Sequence, residues 1–308
     1  MQEDGCVMSQ RRERKYRPVT VPFAATPTGE PPLIRGWANP SVWTDRMLTT
    51  LEQGVRGGRW HTLSDKVYAP LNLFAASESV IGKRGAAGVD HQTVANFLAR
   101  QTEELDRLHE ALRTNTYRPQ AVRRVWIPKP GSREQRPLGV PAVRDRVVQT
   151  ALLHVLEPIF DAMFSPQSYG FRRGRGCHHA LSRVEQLLGD GHVYEVDADL
   201  KSYFDTIPKG RLMARLREKV SDSRVLQLVE MFLEQGVLDG LREWTPETGT
   251  PQGGVITPPT ILQTAPGGAL VKRARIYPVY HSDLGFVYLH PFHQCAEDFA
   301  ARQPIGIM

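Results

Sequence analysis

Asp197, Asp199 and Asp205 crowd a nine-residue span of His192-Val-Tyr-Glu-Val-Asp-Ala-Asp-Leu-Lys-Ser-Tyr-Phe-Asp-Thr-Ile-Pro208. Val193, Tyr194 and Val196 make a short β-prone run that Pro208 ends. A strand there delivers the aspartates to its C-terminal edge, where their mutual repulsion is tolerated if a divalent cation sits among them. Oxygen-only ligands on a rigid strand suit Mg2+, which keeps waters and substrate phosphates as its other ligands. That is the chemistry of metal-dependent phosphoryl transfer. A surface turn whose acidic side chains face water fits the same residues.

Such chemistry needs a grip on a polyanion, and the upstream residues offer one. Residues 122–127 alternate as a strand, Pro128-Lys-Pro-Gly-Ser132 is a turn, and Arg136-Pro-Leu-Gly-Val-Pro141 reads as the returning strand, so Lys129 and Arg136 lie near a hairpin tip. A helix is predicted over 143–160, with Val147, Val148, Ala151, Leu152, Val155, Leu156 and Ile159 in register and Arg144 and Arg146 in its first turn. Cations there oppose the helix dipole, a small cost that a bound anion would offset; two solvated arginines are the alternative. Ser168-Tyr-Gly-Phe-Arg-Arg-Gly-Arg-Gly-Cys-His-His179 interleaves aromatics, arginines and glycines, a composition that stacks on bases and tracks a phosphate backbone. Adjacent His178 and His179 have no third partner in spacing and read as solvent or phosphate contacts rather than metal ligands.

Residues 118–183 hold twelve Arg/Lys against four Asp/Glu, a local excess of +8 where the whole chain carries +6. A basic block rich in folding residues points to a nucleic-acid partner, with a generic solvated face as the alternative. The 41% apolar content is that of a globular protein. Cys6, Cys177 and Cys295 are far apart, which excludes a disulfide framework and a zinc ribbon and fits a reducing cytoplasm. No apolar run approaches a membrane span, and the N-terminus lacks the apolar core of a signal peptide.

Elsewhere, the prolines and the basic cluster of residues 1–40 exclude a helix or central strand, giving a disordered leader. A short helical pattern spans 42–51, and a longer one over 60–79 is expected to be interrupted by Pro70. The glycine-rich loop 82–90 follows a helix pattern and lacks Gly-Lys-Ser/Thr, against a phosphate-binding P-loop. An amphipathic helix spans 93–112, with Val94, Phe97, Leu98, Leu105, Leu108 and Leu112 as its core stripe. Helices over 179–188, 210–219 and 224–234, a turn-rich stretch to Gly249, and a poorly organised tail complete the reading.

Lys83 to Asp90, Tyr117-Arg-Pro119, Ile127-Pro-Lys-Pro130, Arg136-Pro-Leu-Gly-Val-Pro141, Arg144-Asp-Arg-Val-Val-Gln149, Tyr169-Gly-Phe-Arg172, Asp199-Leu-Lys-Ser-Tyr-Phe-Asp205 and Gly249-Thr-Pro-Gln-Gly-Gly254 stand in the order of one family. From about Trp60 to Ile256 the chain resembles the reverse transcriptase/maturase proteins encoded by bacterial group II introns. The resemblance implies an α+β fold: a right-hand polymerase with fingers and palm, an antiparallel palm sheet backed by helices, and no thumb. It divides the chain into a disordered leader (1–59), fingers (60–180), a partial palm (181–257) and a divergent tail (258–308). It implies RNA-directed DNA synthesis with Mg2+, an intron RNA template, a DNA primer and dNTP. One ion would activate the primer 3′-hydroxyl, and the other would neutralise the triphosphate and leaving pyrophosphate. Asp199 would be the catalytic, metal-binding aspartate. Lys129 and Arg136 would hold the triphosphate, Phe204 would crowd the sugar 2′ position, and Gln252 would line the nucleotide pocket. Arg144, Arg146, Tyr169, Arg172 and Arg173 would contact nucleic acid, while Asp205 would orient the turn or cap the next helix.

Polymerases of this kind carry Tyr-x-Asp-Asp on a hairpin facing the first aspartate, and no two aspartates are adjacent here. Tyr280-His-Ser-Asp283 is the nearest approach, with Ser282 where the first aspartate belongs. Tyr288-Leu-His-Pro291 resembles a segment that normally follows soon after Pro-Gln-Gly, so the residues between read as an insertion or out-of-frame sequence. The expectation is a chain truncated or frame-disrupted after about residue 256. Two readings follow: an RNA-directed DNA polymerase, or a catalytically dead remnant that binds intron RNA.

Overall fold

The computed structural model describes residues 38–128, 133, 135–191, 194–200, 203–250 and 271–278. Thr44 caps helix α1 (Asp45–Gln53) by accepting from Met47 N, and Gly54 at φ +91° ends it. Pro70 interrupts the next pattern without breaking a helix. It stands at the start of α3 (Pro70–Gly82), where its missing N–H costs nothing, and α2 (Ser64–Val67) is a separate turn before it. The stripe expected to form one helix over 93–112 folds as two, α4 (Val94–Leu98) and α5 (Gln101–Arg113), with Arg100 between them at φ −128°, ψ 29°. The break turns Leu98 out to 49% exposure while Phe97 and Leu108 stay buried.

Strands β1 (Val122–Pro128) and β2 (Gln135–Val140) form the expected hairpin, with Arg123 opposite Val140 and Ile127 opposite Arg136. After it come α6 (Val143–Asp161), α7 (Cys177–Gly189), β3 (Tyr194–Leu200), α8 (Tyr203–Thr206), α9 (Lys209–Lys219) and α10 (Ser223–Leu233). The stretch read as turn-rich holds a second hairpin, β4 (Val237–Asp239) and β5 (Arg242–Trp244), joined through Gly240 at φ +60°. Strand β4 runs parallel to β1, giving a four-stranded sheet of order β2-β1-β4-β5. Strand β3 pairs antiparallel with β6 (Val271–Pro278), which lies within the tail expected to be poorly organised. Among the described residues β3 therefore sits in a two-stranded sheet, not at the centre of a wider one.

Helix α6 is the axis of the core: Val143, Val147, Val148, Ala151, Leu152 and Val155 are fully buried on it, and α3 packs along it through Leu73, Ala76 and Val80. At about 25 cal/mol per Å2 of apolar surface, each such side chain contributes roughly 1.5–3 kcal/mol. Asp222 ties the far end together, capping α10 through Arg224 N and Val225 N while accepting Leu63 N and Ser64 N at 2.8 Å. The core reaches into the stretch assigned to the leader. Ala38, Val42, Trp43 and Leu48 are buried in it, and Trp43 Nε1 donates to the His154 carbonyl on α6 at 2.9 Å. The boundary at residue 59 is thus corrected to start the core at Ala38; residues 1–37 lie outside the described ones. Among the described residues no helix is long and apolar enough to cross a membrane.

Candidate nucleotide and nucleic-acid interface

Alternation along β3 puts Asp197 and Asp199 on one side of the strand, Asp199 next to its C-terminal end. The register sets Asp199 opposite Arg273 and Asp197 opposite Arg275, with a bulge between Asp199 and Leu200. Asp199 and Phe204, the latter on α8, are described by their place on the backbone. Lys129, Gln252 and the 280–283 motif lie outside the described residues. The segment leading to Gln252 is nevertheless anchored beside α8. Gly249 N donates to the Ile207 carbonyl at 2.8 Å, Thr248 Oγ1 donates to the Asp205 carbonyl at 3.1 Å, and Gly249 takes φ +76°, which favours glycine. Asp205 is exposed and lines a cleft of about 390 Å3 with Arg124, Gly139, Trp244 and Thr250. Thr250 Oγ1 is buried there without a hydrogen-bond partner.

On the hairpin, Arg136 is exposed, and its side chain has no hydrogen bond or ion pair to a described residue. The opposite face carries a stack that the sequence reading missed. The Arg124 guanidinium lies 5.6 Å from the Trp126 ring and 4.7 Å from the Trp244 ring, the Arg242 guanidinium also lies 5.6 Å from the Trp244 ring, and Trp126 Nε1 donates to Asp239 Oδ2 at 3.3 Å. The signal for it was there: Asp239-Gly240 between short β-prone runs is a hairpin turn, and Arg124 and Trp126 are two apart on one strand.

The first turn of α6 explains the glycine-rich loop. Arg146 Nη2 donates to the Ala86 carbonyl at 2.6 Å, and Arg123 donates to the Ala87 carbonyl at 2.6 and 3.1 Å. A Cβ on Gly88 would lie 2.5 Å from Ala142 Cα and 2.6 Å from its nitrogen, so this glycine is required for the loop to seat against α6. The loop thus packs on the helix rather than cradling a phosphate. Burial lowers the Arg146 pKa, and Nε of both Arg144 and Arg146 is shielded without a hydrogen-bond partner. Between them Asp145 is fully buried. It accepts from Tyr117 OH at 2.6 Å and Gln120 N at 2.9 Å, and burial raises its pKa to about 6 against the opposing pull of those bonds. Burial, then the charge of Asp145, pushes the Tyr117 hydroxyl well above its ordinary range.

In the segment after α6 the expected nucleic-acid contacts separate. The Arg172 side chain is 5% exposed; it forks onto Asp161 at 2.8 and 3.1 Å and donates to the Ser165, Ser168 and Asp161 carbonyls. All its nitrogens are engaged inside the protein, so the expectation that Arg172 contacts nucleic acid is corrected: it pins the loop. Arg173 is 43% exposed and donates through Nε to Glu157 at 3.0 Å, leaving the rest of its guanidinium towards solvent. Burial raises the pKa of Glu157, opposed by Arg173. Tyr169 is half-buried, with the Arg175 guanidinium 5.7 Å from its ring centre. Phe171 is 70% exposed and holds φ +54°, an aromatic presented to solvent on a strained backbone.

Residues 127–265 match the family model described as reverse transcriptase (RNA-dependent DNA polymerase). Over that stretch the chain is similar to reverse transcriptases. The surrounding chain is related to group II intron-encoded proteins. Protein YkfC of Escherichia coli (strain K12) is 40% identical over 196 residues, which cover 61% of this chain and 51% of that protein. The group II intron-encoded protein LtrA of Lactococcus lactis subsp. cremoris is 34% identical over 191 residues, 61% of this chain and 31% of that one. The chain thus spans about half of the first relative's length and about a third of the second's. A chain of a partial Cas6-RT-Cas1–Cas2 complex overlaps 65% of this chain and 33% of its own at 21% identity, with a TM-score of 0.45. Reverse transcriptases as a family use a divalent metal and bind a nucleic-acid template and primer. The carboxylates of this domain fit part of such a metal site. The register sets arginines opposite Asp197 and Asp199, and the 308 residues contain no adjacent aspartate pair. Among the described residues no group of three or more His, Cys, Asp or Glu side chains could hold a metal ion.

Proposed function

We propose that the chain is the template-gripping portion of a group II intron-type RNA-directed DNA polymerase, with residues 60–180 as fingers and 181–257 as palm. It binds intron RNA and a DNA primer and presents a dNTP to Asp199. Asp199 contributes a carboxylate to Mg2+, whose preference for oxygen ligands suits it. Lys129 and Arg136 hold the triphosphate, Phe204 selects against a 2′-hydroxyl, and Gln252 lines the nucleotide pocket. Arg144, Arg146, Tyr169 and Arg173 face nucleic acid, and Arg172 orders the loop that carries Tyr169 and Arg173.

The observation that carries this reading is the order of motifs on one scaffold: an exposed arginine on the β1–β2 hairpin, Asp199 near the end of β3, and the 248–250 segment tied to α8. Because one carboxylate cannot hold two ions about 3.5–4 Å apart at neutral charge, these 308 residues are expected to bind RNA while extending primers very poorly. Primer extension on an RNA template in Mg2+, run beside RNA binding for the parent and Asp199→Ala, tests it. Equal RNA binding with background extension in both is expected. Robust extension abolished by Asp199→Ala would overturn the incomplete centre, and absence of RNA binding would overturn the reading as a whole.

A further inference from the structure

We propose that a cleft formed by the 90–92 turn, α5 and the first turn of α6 holds a phosphate of an RNA strand, gripped by Arg100 and Arg144. This rests on the reading that the chain binds RNA, and it adds a contact separate from the β1–β2 hairpin. The cleft is about 680 Å3, within the roughly 300–1,000 Å3 of sites that take a nucleotide-sized group.

Its charges favour an anion. Arg100, Arg107, Arg118 and Arg144 line it against the carboxylates Asp90 and Glu104. Glu104 is largely buried and already covered, with Gln92 Nε2 at 3.2 Å and Arg107 at 3.7 Å. Arg107 also pairs with Glu103, and Arg118 Nη1 donates to the Asn115 and Tyr117 carbonyls at 3.1 and 2.7 Å. Two cations remain. Arg100, at the N-cap of α5, is exposed, and its side chain has no hydrogen bond or ion pair to a described residue. Arg144 has Asp145 Oδ1 at 3.8 Å, too long for a hydrogen bond, and its Nε is shielded from solvent without an acceptor. Asp145 cannot turn to it, because its oxygens already accept from Tyr117, Gln120 and Gln235. A shielded guanidinium N–H without an acceptor is costly. A phosphate oxygen entering the cleft supplies one, and the planar fork of arginine suits two phosphate oxygens at once.

The test is filter binding of an unstructured RNA oligonucleotide across salt. Arg100→Gln/Arg144→Gln should flatten the log-log slope by about 0.7, the value for the one phosphate the pair neutralises on a single strand. Arg107→Gln, already paired to two carboxylates, should leave the slope unchanged, and Arg100→Lys/Arg144→Lys should keep it because the charge is kept. Arg100→Gln alone, at an exposed position that leaves the fold undisturbed, should show half the effect. A parent slope in both the single and the double glutamine variants overturns the proposal. So does polyglutamate displacing the RNA as well as an equal charge of competing RNA. A parent that binds no RNA overturns the proposed function instead.

Discussion

The loop after α6 and the β1–β2 hairpin look alike as sequences: each sets arginines among glycines and an aromatic residue. In the structure they are opposites. Arg172 turns inward and forks onto Asp161, while Arg136 stands free on the hairpin. Local geometry makes the difference. Strand alternation sends Arg136 to a face with no carboxylate partner among the described residues, whereas the loop folds back over the C-terminal end of α6, where Asp161 and open carbonyls collect a guanidinium. Basic composition therefore does not decide which cations are open to a ligand; partner geometry does.

The largest effect that could break this contrast is on stability. Arg172→Gln leaves Asp161 without its near-buried partner and should cost about 3–5 kcal/mol in denaturant unfolding. Arg136→Gln should change it by less than about 0.5 kcal/mol. Equal costs would mean that the two regions are not different in kind.

A second contrast lies beneath both regions, among the buried titrating groups of α6. Burial holds His154 at about 4 and raises Asp145 to about 6. The histidine contribution is present above the unfolded pKa of 6.5 and is lost as pH falls through 4. The aspartate contribution is present below its unfolded pKa of 3.8 and is lost as pH rises through 6. Between pH 4 and 6 the two oppose, each by up to roughly 1.4 kcal/mol per pH unit. In His154→Gln the aspartate acts unopposed, so stability should fall as pH rises from 4 to 6. A rise over that window in the variant would contradict the assignment.

Gly88→Ala should cost roughly 1–3 kcal/mol by driving a methyl group into the Ala142 backbone. Gly82→Ala, with open space around it at the end of α3, should be neutral. A neutral Gly88→Ala would detach the loop from α6 and return it to the list of ligand-binding loops.

Much of this was legible in the residues. The β1–β2 hairpin, α6, α9 and α10 follow their apolar periods to within a residue or two, because each buries a clear stripe against one core. The split between α4 and α5 was hidden, since the same stripe fits one helix or two, and only packing sets the angle at Arg100. The β4–β5 strands were hidden because three-residue strands carry too little alternation to see, although Asp239-Gly240 marked the turn. For the site, the proposed grip and Asp199 rest on motif order alone. Which arginines face inward depends on carboxylates and carbonyls brought from α6, and linear spacing does not encode that.

The most direct test compares the salt dependence of RNA binding for the parent and for Lys129→Gln/Arg136→Gln/Arg173→Gln, leaving Arg172 in place so that the fold is kept. The triple variant should flatten the slope by about 2, at roughly 0.7 per cation on single-stranded RNA. The same slope in both proteins would mean that the three substituted cations are ordinary solvated surface, and the account of this region as an RNA grip would be wrong.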